Sequence, residues 1–278
     1  MDKKIALAAA LAASFAGSAL AADLPSKKAP VAAPPVMSWT GFYVGANAGG
    51  AWSGNNSGNY QLYGGAPAVS LASGAHVGSG YSAFIGGGQV GYNYQWQSFV
   101  IGAEADIQGL AGNAGSGKFA GSAQASGVTY TTVGQASSNL QYIGTVRGRV
   151  GYLVMPTLLA YGTAGFAYGG VSTTAILTTA GTNNSGGAGS LTYANTQAGW
   201  TAGGGLEWMF APNWSAKAEY LYYSLSNANA NTTVADTQSG SALWTYGASA
   251  SRSFNGNIVR AGVNYHFNFA PAPVVAKY

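Results

Sequence analysis

Residues 199–223 read GWTAGGGLEWMFAPNWSAKAEYLYY, two alternating segments that meet across Ala211-Pro212-Asn213. One parity carries Trp200, Ala202, Gly204, Leu206, Trp208 and Phe210, then Trp214, Ala216, Ala218, Tyr220 and Tyr222, all apolar, aromatic or Gly. The other carries Thr201, Gly203, Gly205 and Glu207, then Ser215, Lys217 and Glu219. A period of two belongs to strands, so the stretch predicts a hairpin. With 211–213 as the loop, Phe210 faces Trp214, Trp208 faces Ala216 and Glu207 faces Lys217. This single register matches aromatics on one face and opposite charges on the other.

The same alternation recurs along the chain. The first strand starts at Trp39-Thr40-Gly41 and puts Phe42, Val44, Ala46, Ala48 and Trp52 opposite Tyr43, Gly45 and Asn47. The second, about 82–94, sets Phe84, Val90, Tyr92 and Tyr94 against Gln89 and Asn93. The third sets Phe99, Ile101, Ala103, Ala105 and Ile107 against Gly102, Glu104, Asp106 and Gln108. Pairing Tyr94 with Phe99 places Gln89 opposite Glu104. In the fourth, Leu140, Tyr142, Val146, Val150 and Tyr152 oppose Gln141, Thr145, Arg147 and Arg149. After Met155-Pro156-Thr157, Val154 faces Leu158, and the fifth strand shows Leu158, Ala160, Ala164, Phe166 and Tyr168 on its apolar side. The last, about 253–267, sets Val259, Ala261, Val263, Tyr265 and Phe267 against Arg260, Gly262, Asn264 and His266. Long polar segments at about 53–81, 109–138, 173–196 and 225–252 alternate with three tight turns. Eight strands connected in this way describe an all-β, antiparallel up-and-down meander, with four long loops at one end and both termini at the other.

Charge decides which face is out. Only 6% of the chain is charged, against roughly 25% for a typical soluble domain. Between Trp39 and Phe267 there are eleven charges, of which Lys118, Asp236 and Arg252 fall in the long segments. The other eight, Glu104, Asp106, Arg147, Arg149, Glu207, Lys217, Glu219 and Arg260, share one strand parity, and none lies on the aromatic one. A water-soluble barrel would expose these eight and bury the aromatics, leaving too little charge on its wall for solubility. The inverse predicts an eight-stranded transmembrane β-barrel: aromatics and small residues face lipid, and four acids and four bases line the lumen as a mutually compensating network. On the lipid face each Arg or Lys would cost about 2–4 kcal/mol at the midplane. An eight-stranded interior is just wide enough to be filled by side chains, which predicts a plugged or very narrow lumen.

The ends are of different character. Residues 1–21, with Lys3-Lys4, an apolar run from Ile5 to Ala16 and Ala19-Leu20-Ala21, read as a secretory signal peptide. Residues 22–38 form a Pro/Ala-rich lead-in, 39–267 the barrel and 268–278 a short tail with Pro271 and Pro273. Removal of the signal leaves nine basic and six acidic residues, and this scattered excess of three is no nucleic-acid footprint. The chain has no Cys, which excludes disulfides, thiolate metal sites and a lipid-modified N-terminal Cys.

The segments Trp39-Thr40-Gly41-Phe42-Tyr43-Val44-Gly45, Gly86-Gly87-Gly88-Gln89-Val90-Gly91-Tyr92, Gly102-x-Glu104-x-Asp106, Arg147-Gly148-Arg149-x-Gly151-Tyr152 and Val263-Asn264-Tyr265-His266-Phe267 carry a family resemblance. The chain resembles the alphaproteobacterial porin-family outer-membrane proteins, small surface antigens related to the OmpA membrane domain. The resemblance implies the outer membrane of a Gram-negative bacterium, contact with its lipid and lipopolysaccharide, and a role in envelope integrity or surface interaction. It also implies insertion by the barrel-assembly machinery, which would read a terminal aromatic such as Phe267; Tyr278 is the other candidate. Related groups include haem-binding proteins and adhesins, but no residue carries either role over. Of the two His, His76 lies in a long segment, where it could at most offer a haem ligand, and His266 lies on the last strand without a nucleophile motif, so no cofactor, metal or enzyme activity is expected. Trp52, Trp96, Trp200, Trp208 and Trp214 read as interface-girdle residues. Tyr60, Tyr63, Tyr130, Trp244 and Tyr246 in the long segments are what a surface contact would use, and extended strands above the membrane, such as Val128-Thr129-Tyr130-Thr131-Thr132-Val133, explain some of them equally well. The alternative to a structural surface protein is a narrow porin-like channel, which needs a water path past Glu104, Asp106, Arg147 and Arg149.

Overall fold

The structure, a computed structural model, describes residues 37–53, 56–63, 75–113, 115–125, 127–238 and 241–267. The signal peptide, nearly all of the lead-in and the tail lie outside these residues, as do the side chains of His76, Tyr60, Tyr63, Trp244 and Tyr246. The strands are β1 (Gly41–Trp52), β2 (Asn56–Tyr63), β3 (Ala75–Ser79), β4 (Ser82–Trp96), β5 (Phe99–Asn113), β6 (Gly115–Ala125), β7 (Val128–Met155), β8 (Leu158–Gly181), β9 (Ser185–Ala211), β10 (Trp214–Gln238) and β11 (Ser241–Phe267). All pairings are antiparallel. Strands β1, β4, β5, β7, β8, β9, β10 and β11 pair in that order, and β1 then closes on β11 from Phe42↔Phe267 to Trp52↔Asn257. This is the expected eight-stranded barrel, with its ends paired at the tight-turn end. Closure leaves no strand edge within the wall, as lipid requires.

The long segments are not the loops the sequence suggested. β8 and β9 continue paired as far as Ala180↔Gly186, so 173–196 is a hairpin turned at 182–184, with Asn184 in the left-handed conformation at φ 63°. β10 and β11 likewise continue to Gln238↔Ser241. Segment 53–81 carries β2 and β3, and 109–138 carries β6 folded against the first half of β7. Alternation continues through these segments in Ala, Thr and Ser, which made them read as loops.

Four local readings also differ from expectation. Trp214 pairs with Ala211 rather than Phe210, because a register shift precedes Ser215↔Met209; Trp208↔Ala216 and Glu207↔Lys217 stand as expected. β4 and β5 meet at Trp96↔Phe99 across the two-residue turn Gln97-Ser98, with Gln97 at φ 55°, which moves Gln89 opposite Asp106 and Glu104 opposite Gly91. The displacement is two residues, so every side chain keeps its face. Third, Leu140 points inward, not outward. The β7–β8 ladder passes from Leu140↔Val171 to Tyr142↔Gly170, a bulge that places Gln141 as an extra residue and reverses the parity beyond it. At the last step of that ladder Leu158 pairs with Met155 rather than Val154.

The outer wall is apolar. Phe84, Tyr94, Trp96, Ile101, Val150, Trp200, Trp208 and Phe267 all lie exposed on it, together with Trp52 and Trp214. Phe42 and Trp52 on β1, and Phe84 and Tyr94 on β4, are ten residues apart. Ten residues span roughly 33 Å of strand, or about 25 Å along the membrane normal at the usual tilt, the height of an outer-membrane apolar band.

Candidate functional site

Every inward side chain on the barrel strands competes for one narrow space, and the sequence divides that space into three layers. At the tight-turn end, Val100, Leu159 and Met209 form an apolar layer with Trp39, which is completely buried. The Trp39 indole Nε1 donates to Pro156 O (3.1 Å), and its ring lies edge-on to His266 at 5.8 Å between centroids. Beyond the middle, Ile85, Leu140, Ile143, Val171, Leu221, Tyr223, Leu225, Phe254 and Ile258 form a second apolar layer. Between the two layers lie the charges.

The structure brings all eight strand charges, Glu104, Asp106, Arg147, Arg149, Glu207, Lys217, Glu219 and Arg260, into this middle layer, each at most 5% exposed. Arg147 Nη2 donates to Glu104 Oε1 (2.6 Å) and Asp106 Oδ2 (2.8 Å), while Nη1 crosses the lumen to Glu219 Oε1 (2.9 Å). Its Nε donates to Thr145 Oγ1 (2.9 Å), whose hydroxyl in turn donates to Asp106 Oδ2 (2.8 Å). Arg260 bonds Glu219 Oε2 through Nε (2.8 Å) and Nη2 (2.5 Å) and reaches Asp106 Oδ2 (3.0 Å). Arg149 crosses to Glu207 Oε2 (2.6 Å). Lys217 does not serve its ladder neighbour Glu207; its Nζ reaches across to both oxygens of Glu104 (2.7 and 2.8 Å). Neighbouring strands neutralise one another where Arg147 meets Glu104 and Asp106 and where Arg260 meets Glu219, and the lumen is narrow enough for long side chains to bridge opposite walls as well. Four acids and four bases thereby cancel in a space shut off from water, where an unpaired charge would be costly.

Two tyrosines that sequence reading passed over complete the network. Tyr43 OH donates to Glu104 Oε2 (2.7 Å) and accepts from Arg149 Nη1 (3.0 Å); Tyr161 OH donates to Glu219 Oε1 (3.0 Å). The Arg149 guanidinium sits 4.1 Å above the Tyr161 ring. The signal was present, since both tyrosines lie on the parity opposite the lipid-facing residues of their strands. Toward the tight-turn end an amide chain runs from Asn47 to Gln89, on to Asn264 (2.6 Å) and to Glu207 Oε1 (2.8 Å).

Ser215, His266 and Glu207 also meet here. Ser215 Oγ donates to Glu207 Oε1 (2.5 Å), so its 2.8 Å bond with His266 Nε2 must be donated by the imidazole. The hydroxyl proton therefore faces the carboxylate and the imidazole proton faces the serine, the reverse of a nucleophile poised beside a base. Among the described residues no cluster of His, Asp and Glu has the arrangement of a metal site.

A closed antiparallel wall, apolar outside and charged within, defines a transmembrane β-barrel of the outer-membrane type. The chain belongs to the outer membrane protein beta-barrel domain family, whose model matches residues 7–267, and it resides in the outer membrane. It is 35% identical over 271 residues to the 31 kDa outer-membrane immunogenic protein of Brucella melitensis, covering 95% of this chain and 100% of that protein. It is 29% identical over 244 residues to the 22 kDa outer membrane protein of Rhizobium leguminosarum, covering 87% and 83%. Among solved structures, the outer membrane protein OprG of Pseudomonas aeruginosa aligns with a TM-score of 0.41 at 11% identity, over 82% of this chain and 97% of that one.

Proposed function

We propose that this protein is a non-enzymatic barrel that stabilises the outer membrane and holds a β-hairpin extension at the cell surface. The observation that carries this reading is the filled lumen: two apolar layers enclose a neutral ionic layer, leaving side chains where a channel needs water. The outer wall contacts lipid and, in the outer leaflet, lipopolysaccharide. The far-end strands, which continue well past the girdle, supply the surface for any extracellular ligand. Phe267 ends the wall on its lipid side, paired with Phe42 and edge-on to Tyr265 at 5.1 Å, a position suited to recognition by the barrel-assembly machinery. Ser215 donates to Glu207 and His266 donates to Ser215, the wrong polarity for a nucleophile beside its base, which supports the non-enzymatic reading.

Deletion and complementation test this reading. A deletion strain is expected to become sensitive to detergent and large antibiotics, and a Ser215→Ala variant is expected to restore the barrier fully. A deletion strain with an unchanged barrier and unchanged surface binding would remove the proposed role.

A further inference from the structure

The extension contains an interruption that the barrel wall does not. β9 and β10 pair from Trp214↔Ala211 to Leu225↔Gly199, stop, and resume only at Asp236↔Gly187, ending at Gln238↔Ser185. Ten residues of β10, 226–235, and eleven of β9, 188–198, lie between the two paired stretches without a ladder. On their other sides β9 stays paired with β8 throughout, and β10 pairs with β11 from Ala228 onward, after a register shift that leaves Ser226 and Asn227 out of that ladder as well. The mismatch of ten against eleven explains why no single register carries through. From Ser215↔Met209 up to the seam partner numbers sum to 424, and above it to 423. Elsewhere one bulge absorbs such a step, as at Leu140/Tyr142, but here the whole stretch is unzipped.

The seam therefore presents two facing strand edges, and about half of the residues on each direct both N–H and C=O into it. Exposed edges are ordinarily guarded by Lys, Pro or inward charge. Residues 188–198 (AGSLTYANTQA) and 226–235 (SNANANTTVA) contain no charge and no Pro. Among the described side chains, Thr192, Ala194, Asn195, Thr196, Asn227, Asn229, Asn231 and Thr233 are exposed. The seam starts beside Gly199, next to the girdle residue Trp200, and runs away from the membrane for roughly 35 Å of strand.

We propose that this seam is an acceptor site for an extended, uncharged peptide strand of a partner protein, which pairs through its main chain with the free edges of β9 and β10. Backbone complementarity supplies affinity, and the lack of charge on both edges selects an uncharged strand. The proposal rests on the surface-interaction reading above and names its partner class. A free peptide is not anchored at both ends as β9 is, so it can adopt the register that β10 requires.

The test uses the full mature chain refolded in detergent micelles, with a labelled peptide of sequence AGSLTYANTQA as the probe. Saturable binding is expected, together with slowed amide exchange in 226–235. Methylating alternate peptide nitrogens, which removes donors and leaves side chains alone, is expected to weaken binding at least about tenfold. Absence of saturable binding, or equal binding of the methylated peptide, overturns the proposal. Protection of both segments without peptide, in a particle of dimeric mass, puts a second copy in the seam and overturns it too. The underlying reading is checked separately by labelling intact cells with a membrane-impermeant amine reagent that targets exposed Lys118. A labelled Lys118 with no peptide binding sinks the seam alone, and an unlabelled Lys118 sinks the surface reading with it.

Discussion

Arg147 shows how much one side chain holds in this lumen: it donates to Glu104, Asp106, Glu219 and Thr145, joining β5, β7 and β10. Truncating one member of a buried ionic cluster leaves its partners uncompensated, so Arg147→Ala is expected to cost about 3–5 kcal/mol. Lys118→Ala, on the exposed extension, is expected to stay within about 0.5 kcal/mol. Urea midpoints of the refolded proteins, followed by tryptophan fluorescence, check the contrast, and equal shifts would contradict it. Gly91 tests the packing of the network. A Cβ at this position would lie 2.4 Å from Cζ of Tyr43, its cross-strand partner, so the ring rests in the space that glycine leaves. Gly91→Ala should therefore displace the Tyr43 hydroxyl from Glu104, costing about 1–3 kcal/mol. The effects of Gly91→Ala and Tyr43→Phe should then add to clearly less than their sum, a result a double-mutant cycle would reveal. At this scale the sequence showed which residues face inward, since parity alone sorts the charges. It showed partners on adjacent strands, such as Arg147 with Glu104 and Asp106, but not the longer reaches, because a period of two says nothing of how far Lys217 or Arg149 extends across a narrow lumen.

The elements were legible where the wall is in lipid and less so beyond it. Aromatics opposite amides and charges make β1, β4, β5 and the membrane halves of β7 to β11 plain in the sequence. The extension alternates too, but in Ala, Thr and Ser, whose contrast is too weak to separate strand from loop. The bulge at Gln141 was invisible for another reason: one inserted residue changes no composition, yet it turns Tyr130, Thr132, Ala136 and Leu140 to the buried side. Deleting Gln141 should restore a single parity along β7 and expose that row. Trypsin is then expected to cut at Lys118 at least about tenfold faster, while the barrel retains most of its urea resistance. An unchanged cleavage rate would mean that the bulge does not set the facing of the extension.

Across the whole molecule, low charge and strict alternation lead to one result: a wall that lipid can solvate and an interior that must satisfy itself. The interior pairs its eight charges with one another and encloses them between two apolar layers, with Trp39 closing the tight-turn end. The apolar layers were missed because Ile85, Ile143, Leu221 and Ile258 sit on the parity otherwise marked by polar residues, and only their stacking across strands reveals a layer. Planar-bilayer conductance of the verified folded barrel tests this account most directly. A filled lumen predicts no stable current steps from the native protein. Reproducible unitary steps from the native barrel, altered by Arg147→Ala, would show water passing through the middle layer and contradict the closed interior on which the proposed function rests.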